Sequence, residues 1–239
     1  MNWLNLARII IIACGMIYAS YEDWIKREVD DEVWMLCGAA GGILTAVDLL
    51  MKWNLNLFIA TGISIALSAG LAIAFYYFGL YGGADAKAII MISLALPIYY
   101  APKSVHPFTG LASLSNGLLL SLGLLIALFL WNLQAIIRGK KIFEGFEHEK
   151  TIRKIAAMFL GVRVKNAREK KFWFPLEEER NGKRFFKFGL FELEFEEAKR
   201  DDCWITPGIP LLIFITGGFI AYILVGDFLR LILDALTLA

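Results

Sequence analysis

The sequence predicts a polytopic α-helical membrane protein, with six transmembrane helices and a small cytoplasmic α+β domain between helices five and six. Three observations carry that prediction. Hydrophobic residues make up 58% of the chain against 20% charged, and the mean hydropathy is +0.60, far from the averages of soluble domains. The apolar residues fall in runs close to the ~20 needed to cross a hydrocarbon core at about 1.5 Å per helical residue. Finally, 17 of the 24 Lys and Arg residues lie between Arg138 and Arg200, in the one long polar segment.

In order, the runs occupy roughly 3–20, 33–51, 55–79, 87–101, 113–137 and 207–226. The first is read as a retained span, because it lacks the basic start and small-residue cleavage site of a removable signal peptide. Helix two carries Gly38 and Gly42 in a G-x-x-x-G spacing that suits helix packing. At its far end Asp48 precedes Lys52 by one helical turn, an ordinary ion pair, and is read as structural. The fourth run is short and contains Pro97. Basic segments stay cytoplasmic, so alternation places the long polar segment and the loops after helices one and three on the cytoplasmic side, with both termini outside.

The chain then divides into 1–137, holding helices one to five, a cytoplasmic domain over 138–203, and 204–239 with helix six and a tail. Within the polar segment, Lys150 to Leu160 has apolar residues at helical intervals. Lys171 to Leu176 and Arg184 to Phe188 flank Asn181-Gly182, a hairpin turn signal, and Phe191, Leu193 and Phe195 alternate with glutamates as in a strand with one wet face. This segment holds 17 bases and 13 acids, suited to anionic membrane lipids or a protein partner, and no nucleic-acid motif. Trp204 to Pro210 reads as a rigid entry to helix six, and Asp227, Arg230 and Asp234 as one polar face of a helical extension or a short interfacial helix. Cys14, Cys37 and Cys203 lack C-x-x-C spacing, so neither a disulfide nor a zinc site is expected, and no metal or cofactor is called for.

Asp85 stands out as the only carboxylate between Asp48 and Glu144, directly behind Tyr81-Gly82-Gly83-Ala84 where one apolar run ends and the next begins. An acid at that depth is costly enough to be a functional candidate by default. Alternation supplies a partner, since Asp23 closes the first run on the same face. Two carboxylates at the rim of a low-dielectric bilayer do not both ionise easily, so the pair shares a proton. The ionised member activates a water while the protonated one polarises a carbonyl. Gly82 and Gly83 permit a tight bend and let an extended chain approach the acid. The loop from Tyr21 to Glu32 holds six acids against two bases, and Glu28, Asp30, Asp31 and Glu32 form a field that draws a basic segment.

Asp23 followed by Trp24, Lys26, Arg27 and Val29, with Gly82-Gly83-Ala84-Asp85 entering helix four, resembles the GxGD-type membrane aspartyl proteases. Within that group the chain is most similar to archaeal preflagellin peptidases and their prepilin peptidase relatives, over helices one to four in particular. Ala84 stands where the group's name has its second glycine, as in the looser motif of the preflagellin branch. The resemblance implies an aspartic endopeptidase with Asp23 and Asp85 catalytic and Gly82, Gly83 and Ala84 beside the substrate. It implies removal of a short basic leader from preflagellin or type IV prepilin-like precursors in the cell membrane, with the active site on the cytoplasmic side and no methyltransferase activity. The competing class is a proton-coupled transporter using intramembrane aspartates, against which the helices show no matched halves with broken segments.

Overall fold

A computed structural model of the chain describes residues 3–188, 198–208 and 210–237. Eight α-helices are described, α1 (Trp3–Lys26), α2 (Asp31–Lys52), α3 (Leu55–Tyr77), α4 (Gly83–Ala95), α5 (Thr109–Ile137), α6 (Thr151–Leu160), α7 (Leu211–Leu224) and α8 (Phe228–Thr237). Among the described residues five short strands lie between α6 and α7: β1 (Val162–Val164), β2 (Trp173–Pro175), β3 (Glu177–Arg180), β4 (Lys183–Phe186) and β5 (Cys203–Pro207). The chain forms two compact units, one from residues 1–121 and 210–239 and the other from 122–209.

Four helices, α1, α2, α3 and α5, are long and apolar enough to cross a membrane, and α7 with α8 gives a fifth span if the pair, bent by 61°, counts as one. This is a multi-pass membrane protein. The difference from six apolar runs falls at the fourth and the sixth, where α4 has only 13 residues and α7 only 14, about 20 Å of helix each against a hydrocarbon core of about 30 Å. Pro97 stops α4, and the backbone that follows is not helical. Such backbone is tolerated at membrane depth only where its polar groups find partners. They do: Thr45 Oγ1 donates to the Ala95 carbonyl at 2.8 Å, Ser64 Oγ to the Pro97 carbonyl at 2.5 Å, and the Tyr222 hydroxyl to the Tyr99 carbonyl at 2.6 Å.

In the first unit α4 is enclosed, with Ala88, Ile89, Ile92 and Ala95 fully buried, and it packs on α1, α2, α3 and α7. It runs alongside α2 in the same direction. Lys87 pairs with Asp31, Met91 lies at Gly38, and Ala95 sits on Gly41. Close approach here depends on the missing side chain of Gly41, where a methyl group would lie 2.9 Å from the Ala95 Cα, whereas Gly42 faces open space. The packing register is therefore Gly38 and Gly41, not the Gly38 and Gly42 of the sequence pattern. The shift has a simple cause: a straight helix turns through 3.6 residues, so a face continues at either three or four positions.

On α1 the buried stripe Leu4, Arg8, Ile12, Met16, Ala19 follows the same helical interval. Arg8 is 4% exposed and carries a network: it donates to Asp48 at 3.1 Å and to Thr45 at 3.1 Å, and also meets Asn5. Lys52 holds the same Asp48 oxygen at 2.9 Å, the expected one-turn pair, to which the structure adds the arginine as a third member. Breaking a buried pair from the acid side leaves an uncompensated guanidinium, so Asp48→Ala is expected to destabilise the protein by about 3–5 kcal/mol. Lys52→Ala, which removes a half-exposed partner, should cost under about 1 kcal/mol. Thermal unfolding midpoints in detergent check both.

In the second unit β1, β5 and β2 form an antiparallel sheet in that order, and β3 pairs with β4 through Glu177↔Phe186 to Arg180↔Lys183. The hairpin turn is at Asn181-Gly182, both at positive φ (51° and 75°), as the dipeptide predicts. Its first strand is the glutamate run beyond Leu176 rather than the aromatic stretch before it. Glu177 makes that possible, because Arg184 across the hairpin donates to both its oxygens at 2.9 and 2.7 Å and the Trp204 backbone N–H adds a third bond at 2.9 Å. Of Trp204 to Pro210, expected as a helix entry, residues 204–207 instead belong to the central strand β5, with Trp204 fully buried against Phe143 and Phe186. The helix expected over 150–160 is α6. The alternating stretch from Phe191 to Glu196 lies outside the described residues.

Candidate active site

Asp85 occupies the third position of α4, and its Oδ2 accepts the Gly82 backbone N–H at 3.0 Å. One of the N–H groups left orphaned at a helix start is thereby satisfied by the acid itself, which also lies favourably on the dipole. The residue is 9% exposed. Asp23, half-buried in the last turn of α1, is the charged residue that acts on Asp85, and Arg27, one turn on, acts on Asp23. Two acids more than sixty positions apart in the chain are thus within electrostatic reach.

The end of the bundle that holds them carries exposed aromatic residues: Tyr18, Tyr21 and Trp24 on α1, and Tyr76, Tyr77 and Phe78 at the end of α3. Amphipathic rings collect at the membrane–water boundary. Trp3, Trp53 and Tyr100 are exposed toward the other ends of these helices.

The loop before Asp85 is built differently from its glycine-based reading. Gly82 is extended (φ −77°), and a Cβ on Gly82 or Gly83 would meet nothing closer than 3.5 Å. The positive φ of the turn belongs to Gly79, at 66°. An added methyl at Gly82 would touch the Asp85 carboxylate and one at Gly83 the Tyr76 ring, both at ordinary contact distance. Tyr81 holds the loop, its hydroxyl donating to the Ala72 carbonyl of α3 at 3.0 Å and its ring standing edge-on to Phe75. Burial, aided by the Asp85 charge, pushes the Tyr81 phenol up to about 12, so it stays protonated as a donor. In the sequence the signal for Tyr81 is an aromatic residue followed by two glycines where one apolar run ends. Tyr81→Phe removes the Ala72 bond and should lower stability by about 1 kcal/mol, the worth of one buried hydrogen bond. A thermal melt in detergent measures it.

The loop acids divide. Glu28, Asp30, Asp31 and Glu32 are all exposed. Asp31, however, is paired with Lys87 of α4, and Glu22, buried on α1, is paired with Lys26 at 2.7 Å. Ala84 lies half-buried in the first turn of α4. Among the described residues no group of three or more His, Cys, Asp or Glu side chains is arranged to hold a metal ion.

The fold defines a multi-pass integral membrane protein, with Asp23 at the end of α1 and Asp85 at the start of α4. Residues 10–137 match the type IV leader peptidase family and residues 153–228 match the archaeal peptidase A24 C-terminus, type II; the chain belongs to the type IV leader peptidase family. It is similar to the preflagellin peptidase of Methanococcus maripaludis, 25% identical over 226 residues that cover 91% of this chain and 94% of that protein. Similarity extends to the preflagellin peptidase of Methanocaldococcus jannaschii, 24% identical over 231 residues (91% and 93%), and that of Methanococcus voltae, 23% identical over 226 residues (89% and 92%).

Proposed function

We propose that the protein is an aspartic endopeptidase that removes the short basic leader from preflagellin or type IV prepilin-like precursors, with Asp23 and Asp85 as its catalytic pair. The observation that carries this reading is the buried Asp85 at the start of α4 under the influence of Asp23 from α1, at the aromatic-lined end of the helices. One carboxylate takes a proton from water as its oxygen attacks the scissile carbonyl; the other, protonated, donates to the carbonyl oxygen as it gains charge. Collapse of the tetrahedral intermediate breaks the C–N bond, and the departing amine takes up a proton from the pair. No covalent enzyme intermediate is required. Gly82, Gly83 and Ala84 leave room for an extended peptide beside Asp85. In this reading the pair and the 138–203 domain face the cytoplasm, where a leader lies before export.

The test is mass spectrometry of a preflagellin-type precursor before and after incubation with the membrane-reconstituted protein. A shortened product cut just ahead of the hydrophobic helix supports the reading. An intact precursor together with proton or solute flux into proteoliposomes would replace it with transport.

Seating of the leader is assigned to Glu28, Asp30, Asp31 and Glu32. Because these acids are exposed and screened by salt, neutralising all four is expected to raise KM for a basic-leader substrate by about three- to tenfold at low salt, at a long-range worth of roughly 1 kcal/mol. Asp31 contributes least, since Lys87 already offsets it. If KM and its salt dependence do not change, these residues are only a solvated turn.

A further inference from the structure

We infer that α8 is an in-plane membrane helix whose partner is the headgroup–acyl boundary of the bilayer, and that it anchors the end of the bundle opposite Asp85. This does not depend on the catalytic reading. At 10 residues α8 is about 15 Å long, too short to cross. It leaves α7, a helix without a charged residue, through Gly226 at φ 113° with a bend of 61°. None of its residues is buried.

The residues sort by angle. At 100° per residue Phe228, Leu229, Ile232, Leu233 and Leu236 share one broad face, and Arg230, Asp234 and Thr237 occupy a narrow opposite one. Leu229, Ile232, Leu233 and Leu236 are between 44% and 69% exposed, a row of large apolar side chains that the described residues leave half-covered or less. On the polar face Arg230 pairs with Asp234 at 2.9 Å, and Lys103 reaches the same acid at 3.9 Å. A strongly two-sided helix of this kind lies in the interface plane, its apolar face sunk about 5–10 Å below the headgroups.

What covers that face follows from continuity. The first turn of α8 is fixed to the lipid-spanning bundle. Asp227 accepts the Val105 N–H at 2.8 Å and its own N–H donates to the Lys103 carbonyl at 2.7 Å, while Asn116 of α5 accepts the Phe228 N–H at 2.8 Å and donates to the Gly226 carbonyl at 3.0 Å. Tyr100, three residues before Lys103 and 78% exposed, and Trp3 and Trp53 are the kinds of residue that mark a membrane boundary. A helix clamped at this level cannot lift its apolar row into water without breaking those bonds. The clamp also ties α8 to the 96–108 segment that completes the chain's path beyond the short α4.

The experiment uses the full chain in nanodiscs of phosphatidylcholine and phosphatidylglycerol, with Cys14, Cys37 and Cys203 replaced by Ala. Spin labels at Leu229→Cys, Ile232→Cys, Leu233→Cys, Leu236→Cys and Arg230→Cys are compared for collision with oxygen and with a water-soluble nickel chelate. The four apolar-face labels should favour oxygen over nickel at least about threefold more than the Arg230 label, at a depth of about 5–10 Å. Equal ratios on the two faces overturn the inference. So does a depth near the bilayer midplane, which makes α8 the continuation of a span, and so does spin–spin broadening lost on dilution with unlabelled protein, which puts a second copy on the face. Should the cysteine-free background not fold, a photoreactive benzoylphenylalanine at position 233 or 230 of the native chain gives the same reading. Lipid adducts at 233 but not at 230 support it, and protein adducts at 233 overturn it.

Discussion

Replacing Asp85 by Asn should reduce precursor cleavage by about 100- to 10,000-fold, the usual worth of a positioned general acid or base, and leave the protein folded. The side chains have the same shape, and the amide oxygen can still accept the Gly82 N–H that Asp85 holds at 3.0 Å. Among the described residues no cation pairs with the buried carboxylate, so losing its charge relieves an unfavourable burial rather than creating one. The unfolding midpoint should stay or rise while activity disappears, a combination that a structural role for Asp85 would not produce. Asp23→Asn should act the same way, because an amide can neither take up the water proton nor supply one to the carbonyl oxygen. Mass spectrometry of the precursor gives the activity, and a thermal melt of the same samples gives the fold. If either variant still cleaves at near the original rate, that residue is not part of the chemistry. The double variant should be scarcely worse than either single one, since the two side chains are proposed to act as a unit.

The acids were legible in the sequence because charge among apolar residues is rare and costly, and one carboxylate in nearly a hundred positions needs no structure to be noticed. The long apolar helices were legible for the same reason. What escaped notice was set by partners distant in the chain. The shortness of α4 depends on Thr45 and Ser64 from other helices, whose hydroxyls satisfy carbonyls freed at Ala95 and Pro97. Strand β3 is three glutamates and an arginine, poor strand formers, and it becomes a strand because Arg184 and the Trp204 N–H saturate Glu177. Strand β5, lying just before an apolar helix and ending in a proline, looks locally like a helix start. At the candidate site the motif located Asp85, but the residue that fixes its loop, Tyr81, acts through a carbonyl nine positions back on α3.

Adding a single methyl group at position 41 should impair both stability and catalysis, and the matched change one residue later should impair neither. The Gly41→Ala methyl would fall inside the Ala95 methyl and 2.9 Å from the Ala95 Cα, so α2 and α4 must separate. Overpacking of that kind costs about 1–3 kcal/mol, and Gly41→Leu, with three more carbons, is expected to prevent assembly. Position 42 offers the control, because nothing lies within 4 Å of a Cβ there, and Ala is the better helix former by up to about 1 kcal/mol. Gly42→Ala should therefore be neutral or slightly stabilising. The effect of Gly41→Ala on cleavage follows from geometry: Ala95 is the last residue of the 13-residue helix whose third residue is Asp85, and a rigid rod displaced at one end moves at the other. Displacements well under 1 Å matter when reacting groups must stand about 3 Å apart. Turnover should fall about ten- to a hundredfold. Ala95→Gly placed on top of Gly41→Ala removes the methyl–methyl overlap and should recover part of both the melting temperature and the rate. If Gly41→Ala and Gly42→Ala behave alike, then α2 and α4 are not packed through Gly41, and the route from that contact to Asp85 does not exist.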